Sequence, residues 1–225
     1  MKKKVIGLID GESGNIGSIK KAIKDIIKNR PYQLKVIKDD FNPMIFDKII
    51  LPGQGAYATL IYNLKKLRIY QPLKKYLEND FSYLGIYVGM QILSDKGHED
   101  KITKGLGVIP GEIKKFKDKK LIIPHMGWNS IKLSKEDFII KKNLDKKDFY
   151  FVHSYIFENI EKKNVLATTN YGKNFPSIVK KGNIYGVQFH PEKSHKYGLN
   201  LIKNYILKSG TYFQQLISSR VSVFV

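Results

Sequence analysis

The stretch YLGIYVGMQIL, residues 83–93, has the pattern of a strand that turns sharply into a helix. Gly85 and Gly89 flank the bend, as expected where a tight strand-to-helix turn brings the backbone too close for side chains. In enzymes that use this arrangement, the residue between the glycines is an exposed serine or cysteine nucleophile. Here that residue is Tyr87, and the chain contains no cysteine. The stretch therefore predicts the frame of a catalytic site with an unusual residue at its centre.

Strand-like and helix-like segments alternate through the first half of the chain, which is typical of an α/β fold with parallel strands. Residues 5–9 are continuously apolar, as expected for a strand buried on both faces, and residues 18–29 carry apolar side chains at helical spacing. Further strands are predicted at residues 34–37, 48–52, 107–109, 113–116, 149–152, 165–169, 176–180 and 184–189, and a final helix at about 198–208. We predict one domain over residues 1–210, followed by a tail of unknown role at 211–225.

The composition argues against several classes of protein. No run of 18 or more apolar residues is present, so no membrane span is expected. The basic start is followed by a short apolar run and then Asp10, which predicts a first strand and not a signal peptide. The absence of cysteine excludes disulfides and cysteine-based metal sites and fits a cytoplasmic protein. We expect neither a metal nor a cofactor.

The formal net charge of +20 would suit a nucleic-acid-binding protein. The lysines, however, are spread along the whole chain in short clusters, many of them Lys-Lys pairs. Such spacing is typical of solvated faces and of a lysine-biased composition, and it does not form a single recognition stripe. We therefore expect no nucleic-acid partner.

A second motif, GVQFHPEKS at residues 186–194, places His190 at the end of a predicted strand with Glu192 two positions further on. A catalytic histidine needs a carboxylate that selects its tautomer and stabilises its protonated form, and this pair has the residue types for it. Structural histidines are more common, so the motif alone is weak support for catalysis.

A third motif, PGQGA at residues 52–56, also follows a predicted strand. Its glycines leave backbone N–H groups free to face a ligand, as an oxyanion hole requires; taken alone, it equally fits a tight turn. All three motifs lie at strand ends, where open α/β sheets place their ligand sites. Together they predict an acyl-transfer site that lacks a credible nucleophile.

At the level of whole motifs, the sequence resembles the glutaminase subunits of imidazole glycerol phosphate synthase, which are class I (triad) glutamine amidotransferases of histidine biosynthesis. The matching segments, in family order, are IDGESGNIGSIKKAI, ILPGQGAY, LGIYVGMQIL, GLGVIPGEI, IPHMGWN, FYFVHSY, GVQFHPEKS and GLNLIKN. They extend from about residue 6 to residue 204, and PHMGWN, FVHSY and FHPEKS are highly specific in combination. The resemblance implies a flavodoxin-like class I glutamine amidotransferase domain, with a mostly parallel mixed sheet flanked by helices.

The resemblance also implies roles for individual residues. In this family a cysteine attacks the side-chain amide of glutamine, ammonia leaves, and water cleaves the resulting glutamyl thioester. His190 matches the general base and Glu192 the carboxylate that holds it. The residues that match the oxyanion strand, the donor after the nucleophile and the glutamine-binding shell are Gly53, Gln54, Gly55, Val88, Gln91, Ser154 and Tyr155.

The resemblance further implies a partner, a (β/α)8-barrel cyclase that forms a heterodimer with the glutaminase subunit and receives its ammonia through a tunnel. Asn15, Trp128, Tyr150 and Lys193 match positions at or near that interface. The alternative for Trp128 and Tyr150 is that both are core aromatic residues.

Tyr87 stands where the family has its cysteine nucleophile. A phenol has an ordinary pKa of about 10, which burial raises, and its oxygen lies a ring's length beyond the position of a thiol. The ring would fill the space meant for the glutamine amide. Loss of the nucleophile from a cooperating triad lowers turnover by about a million-fold, so we predict little or no standard glutaminase activity.

Three explanations of Tyr87 are open on the sequence. The chain is a degenerate subunit that serves as a scaffold while its partner uses free ammonia. Alternatively, it is a catalytically inactive paralogue that regulates a related partner, for example one that amidates surface sugars. In the third, Tyr87 is a single-site change or sequence error in an ordinary enzyme.

Overall fold

A computed structural model describes residues 3–12, 16–118 and 120–208. Asn15 and the tail predicted at 211–225 lie outside these residues. In the described ranges the strands are β1 (Lys4–Ile9), β2 (Tyr32–Ile37), β3 (Lys48–Gly53), β4 (Tyr83–Tyr87), β5 (Lys96–Gly97), β6 (Thr103–Lys104), β7 (Glu112–Lys115), β8 (His125–Ser130), β9 (Lys132–Leu133), β10 (Asp148–His153), β11 (Tyr155–Glu158), β12 (Val165–Tyr171), β13 (Lys173–Lys181) and β14 (Ile184–Val187). The α-helices are α1 (Gly17–Ile27), α2 (Tyr57–Lys66), α3 (Tyr70–Glu78), α4 (Val88–Gln91) and α5 (His195–Leu207).

The main sheet is mixed, with strands in the order β2-β1-β3-β4-β14-β13-β12-β9. The pairs from β2 to β14 are all parallel, and the pairs from β14 to β9 are antiparallel. Parallel neighbours need a crossover connection, and α1 supplies it between β1 and β2, while α2 and α3 supply it between β3 and β4. The prediction of an α/β fold with a mostly parallel mixed sheet flanked by helices is confirmed.

Helices cover both faces of the parallel strands. In β3 the side chains of Ile49 and Leu51 join the apolar cluster that contains Leu60 of α2, whereas Ile50 joins the cluster on the opposite face with Leu201 of α5. All three isoleucine and leucine side chains of β3 are fully buried, which explains the continuous apolar run in the sequence. The carboxyl ends of β3, β4 and β14 meet at one edge of the sheet, which is where this class of sheet holds ligands.

Two smaller sheets follow in the chain. Strands β8 and β10 form an antiparallel ribbon, and β11, β7, β5 and β6 form a four-stranded sheet in that order. Alternation along β8 buries His125 and exposes Met126 and Trp128 on the outer face of the ribbon. The ribbon therefore has one face in the core and one apolar face toward solvent.

The prediction of a strand at residues 107–109 is wrong. Gly107 has φ of +65°, and the N–H groups of Val108 and Ile109 both donate to the carbonyl of Leu93, at 2.9 and 3.0 Å. Leu106 and Ile109 are nonetheless buried in the core. The apolar composition of this segment thus reflects a loop that fills the core and not a strand.

Candidate active site

The bend at Tyr87 has the strand-to-helix geometry that the sequence predicts. Tyr87 ends β4 with φ of 54° and ψ of −111°, and α4 begins at the next residue. A non-glycine residue in such a conformation costs about 1–3 kcal/mol, so the surroundings must impose it. A Cβ on Gly85 would lie 2.2 Å from the carbonyl oxygen of Gly89, and a Cβ on Gly89 would lie 2.0 Å from that of Leu51. The two glycines therefore let α4 fold back tightly onto the sheet.

His190 and Glu192 form a buried pair just beyond the end of β14. The Nδ1 atom of His190 lies 2.9 Å from Oε1 of Glu192, and only 3% and 8% of the two side chains are exposed. Because a carboxylate can only accept, Nδ1 donates this hydrogen bond, and in the corresponding neutral tautomer Nε2 carries the lone pair. Within the described residues, Nε2 is buried and has no hydrogen-bond partner. The imidazole is thus oriented as a base with its accepting nitrogen unused.

Tyr87 lies against this base but does not bond to it. The centroids of the Tyr87 and His190 rings are 5.4 Å apart, with 43° between the ring planes. Burial, followed by the nearby charges of Glu99 and Tyr155, raises the pKa of Tyr87 to about 12. The phenol is therefore protonated at neutral pH, and His190 Nε2 does not accept its proton in this arrangement.

The segment Gly53, Gln54 and Gly55 passes beside the bend. Gly53 is the register partner of Tyr87 in the β3–β4 pair, and a Cβ on Gly53 would lie 2.9 Å from Cβ of Val88. Gly55 has φ of +82° with open space around it, a conformation that favours glycine. Of the residues predicted to form the oxyanion hole, Gly53 therefore lies directly against the bend, and Gln54 and Gly55 follow it in the chain.

The predicted glutamine-binding residues also lie near α4. Gln91 is buried in α4, and its Nε2 donates to the carbonyl of Tyr155 at 3.2 Å and to Oε1 of Gln188 at 3.3 Å. Ser154 precedes Tyr155 in the chain, and its carbonyl accepts from the N–H of Phe116 at 3.1 Å. Gln91 and Tyr155 are thus in direct contact, with Ser154 next to them in sequence.

Sequence reasoning missed two residues of this site. Oε2 of Glu99 accepts from the N–H of Tyr57 at 2.7 Å, and its charge helps to raise the pKa of both Tyr87 and Tyr155. Gln188, the acceptor for Gln91, is fully buried. Its position two residues before His190 was a usable signal, since alternate residues of an extended segment share a face. Glu99 lies in a loop, and no pattern in the sequence marks it.

The predicted partner-contact residues form one surface, which we call the aromatic patch: Trp128, Tyr150 and Lys193. Trp128 is 48% exposed, its ring lies 5.9 Å from that of Tyr150, and Nζ of Lys193 lies 6.0 Å from the Tyr150 ring. The carbonyl of Tyr150 accepts from the N–H of His190 at 2.9 Å. Trp128 is therefore not a core residue, and the patch is one hydrogen bond from the candidate base.

In the part of the chain that the structure describes, no helix has the length and apolar character needed to cross a membrane. Across those same residues, no group of three or more histidine, aspartate or glutamate side chains is placed to hold a metal ion.

Comparison with known proteins assigns the family. Residues 13–209 match the model for glutamine amidotransferase class-I. The chain is 40% identical over 206 residues to the imidazole glycerol phosphate synthase subunit HisH of Methanocaldococcus jannaschii, across 90% of this chain and 98% of that protein. It is 42% identical over 204 residues to subunit HisH 2 of Methanococcus maripaludis, with the same two coverages.

Among solved structures, PurLQS from Thermotoga maritima is similar with a TM-score of 0.67 and 17% identity, over 91% of this chain and 98% of that chain, which shows a shared fold. The resemblance inferred from the motifs is thereby confirmed. The chain belongs to the class-I glutamine amidotransferases and, within them, to the HisH subunits of imidazole glycerol phosphate synthase.

Proposed function

We propose that this HisH chain forms a heterodimer with a (β/α)8-barrel cyclase in the cytoplasm and that Tyr87 blocks its own hydrolysis of glutamine. One observation carries the proposal: His190 Nε2 is buried without a hydrogen-bond partner among the described residues, beside a tyrosine ring at the position of the nucleophile. The base and its carboxylate are therefore assembled, and the group that they would activate is missing.

The remaining groups fit the hydrolysis of a glutamine amide. With a thiol at position 87, His190 would take its proton, and Glu192 would stabilise the resulting imidazolium. Backbone N–H groups of Gly53, Gln54 and Gly55, with that of Val88, would stabilise the oxyanion. The amino acid part of glutamine would be held by Gln91, Ser154 and Tyr155. The Glu99 carboxylate beside Tyr155 suits the α-ammonium group.

Tyr87 prevents this chemistry for two physical reasons. Its raised pKa, about 12, leaves it protonated at neutral pH, and a protonated phenol is a poor nucleophile. Its hydroxyl also lies at the far side of an aromatic ring, whereas a thiol would lie one bond from Cβ. We therefore expect the ring to fill the volume in which the substrate amide would meet the oxyanion donors.

The partner half of the proposal rests on the aromatic patch. An exposed tryptophan with a neighbouring tyrosine and a lysine has the composition of a protein–protein contact, in which large aromatic residues contribute most of the affinity. The two relatives described above are both subunits of a synthase. Asn15, which matches a further interface position, lies outside the described residues.

The test is glutamate release by the native chain and by Tyr87→Cys, each with the cyclase subunit and its nucleotide substrate. We expect the native chain to be silent and Tyr87→Cys to release glutamate at least about a thousand-fold faster, since a missing triad nucleophile lowers turnover by about a million-fold. Tyr87→Ala is the matched control: it frees the same space without supplying a nucleophile, so it should bind glutamine but not hydrolyse it.

Two outcomes contradict the proposal. Native protein that releases glutamate as fast as Tyr87→Cys would show that the phenol does not block the reaction. A Tyr87→Cys protein that stays silent while Tyr87→Ala binds glutamine would show that the rest of the frame is not catalytic.

The second candidate function is a catalytically inactive scaffold or regulator of the cyclase or of a related sugar-amidation partner. The observation that favours it is again the protonated phenol in place of a thiol. Both candidates predict a stable complex without glutamine turnover by the native chain. The second alone also predicts an effect of the native chain on cyclase activity driven by free ammonia. Titration of the cyclase with native chain under ammonium chloride measures that effect.

A further inference from the structure

Two buried histidines, which take no part in the proposed chemistry, lie in a cluster of aromatic side chains. His125 and His153 are 3% and 1% exposed and face each other as cross-strand partners in the β8–β10 ribbon. Nδ1 of His125 lies 3.0 Å from Nε2 of His153. The rings that surround the pair belong to Phe116, Phe151, Tyr171 and Phe175. A buried polar group is unfavourable unless it is hydrogen-bonded, so the hydrogen bonds of the two rings decide whether the pair is stable in this apolar space.

The hydrogen bonds of the pair run in one direction. Nδ1 of His153 lies 3.0 Å from the carbonyl oxygen of Tyr155, and a carbonyl can only accept, so Nδ1 carries the hydrogen and Nε2 accepts. The hydrogen between the rings must then come from Nδ1 of His125, which leaves Nε2 of His125 as an acceptor. That atom lies 3.3 Å from Nδ2 of Asn129, which is a donor. Burial lowers the pKa of His125 to about 4 and that of His153 to about 3, so both rings are neutral at pH 7.

These hydrogen bonds form a chain from Asn129 through the two histidines to Tyr155, and its two ends lie in different functional regions. Asn129 follows Trp128 in β8, and its Nδ2 also donates to the carbonyl of Asn170 at 2.9 Å. At the other end, the Tyr155 carbonyl accepts a second hydrogen bond, from Nε2 of Gln91 at 3.2 Å. The hydrogen-bonded chain therefore joins the strand that carries the aromatic patch to the residues proposed to bind glutamine.

We propose that His125 and His153 are positioning residues for the glutamine site. They hold the Tyr155 carbonyl, and through it Gln91, in a fixed position relative to the ribbon that carries the aromatic patch. The inference rests on the proposed function for the identity of the ligand. The hydrogen-bonded chain itself exists without ligand or turnover and is tested separately.

The first experiment determines the tautomers of His125 and His153 in the native protein. Long-range ¹H–¹⁵N spectra of the imidazoles at pH 7 distinguish a protonated Nδ1 from a protonated Nε2. We expect both His125 and His153 as neutral Nδ1–H tautomers. An Nε2–H tautomer for His153 would overturn the inference, because its Nδ1 would then have no hydrogen to give to Tyr155.

The second experiment removes the donor and then restores it. His153→Phe keeps an aromatic ring in the box but gives Tyr155 no hydrogen bond, whereas the side-chain amide of His153→Asn can replace Nδ1. Phe175→Leu is the packing control, since it disturbs the same box without removing a hydrogen bond. The side-chain amide resonances of Gln91 should shift in His153→Phe and return toward their native positions in His153→Asn.

The third experiment measures the kinetics of glutamine hydrolysis in the Tyr87→Cys background with the cyclase present. We expect His153→Phe to raise the KM for glutamine about tenfold with kcat changed less than threefold, His153→Asn to recover most of the loss, and Phe175→Leu to change KM less than twofold. Equal effects of His153→Phe and Phe175→Leu would overturn the inference. If Tyr87→Cys is itself silent, the proposed function fails, and the tautomers and the Gln91 resonances then decide this inference alone.

Discussion

Gly89→Ala should be the most damaging small substitution at the bend. The added Cβ would lie 2.0 Å from the carbonyl oxygen of Leu51, 3.1 Å from its carbonyl carbon and 3.3 Å from its Cγ. Non-bonded contacts of a Cβ below 3.0 Å essentially never occur, so the helix and the strand must separate by about 1 Å. Leu51 lies in a central strand, paired with Gly85 of β4. Neither side of the contact is a flexible side chain that can move away.

The expected loss of stability follows from that geometry. Overpacking a core typically costs about 1–3 kcal/mol and sometimes more, and an overlap of a Cβ with a backbone carbonyl of a central strand belongs at the upper end, about 3 kcal/mol. For a domain of this size the melting temperature should fall by roughly 6–12 °C. Gly55→Ala is the matched control, because no atom lies within 4 Å of its Cβ. Only the positive φ penalises it, by about 1 kcal/mol.

Urea unfolding followed by circular dichroism measures both variants against the native chain. We expect the loss of unfolding free energy in Gly89→Ala to be at least twice that in Gly55→Ala. If Gly89→Ala unfolds at the same urea concentration as Gly55→Ala, the close approach of α4 to β3 does not determine the bend. The position of Tyr87 would then need another cause.

Buried histidines, a buried lysine and an exposed tryptophan each have a measurable consequence for stability or binding. The unfolded chain takes up protons on His125 and His153 below pH 6.5, whereas burial lowers their folded pKa values to about 4 and about 3. Urea unfolding should therefore show a stability that falls by on the order of 3–6 kcal/mol between about pH 6.5 and pH 4, with a smaller fall in His153→Asn. Burial lowers the pKa of Lys48 to about 7, so the unfolded chain binds more protons above that pH, and stability should rise by about 2–3 kcal/mol from pH 7 to pH 9.5; a rise of the same size in Lys48→Met would contradict this cause. Trp128→Ala should weaken the complex with the cyclase by about 2 kcal/mol, or roughly thirty-fold, in isothermal titration. Met44 is 56% exposed and lies in the connection between β2 and β3, so Met44→Ala should have no effect.

Much of the fold was predictable because parallel strands buried on both faces leave a strong trace in sequence. Residues 5–9 and 49–52 are continuous apolar runs, and both lie in strands close to the predicted bounds. The failure at residues 107–109 has a physical reason: local composition reports burial, and a loop that fills the core is as apolar as a strand. Only the backbone path around the Leu93 carbonyl separates the two cases.

The candidate site was also predictable only in part. Tyr87, His190 and Glu192 were found from short-range patterns, because each motif places its side chain relative to a strand end a few residues away. Glu99 and the His125–His153 pair were not found. Their neighbours at the site come from distant parts of the chain: Glu99 contacts Tyr57, and His125 is 28 positions from His153.

By itself, the amino-acid order determined the α/β class, the glycine-flanked bend and the presence of a tyrosine where catalysis needs a thiol, since all three are matters of residue type and short spacing. Tertiary structure alone decided that His190 Nε2 is left without a partner beside the Tyr87 ring and that a hydrogen-bonded chain joins the aromatic patch to Tyr155. Donor–acceptor distances and burial depend on how separate strands and loops pack, and no local pattern specifies them.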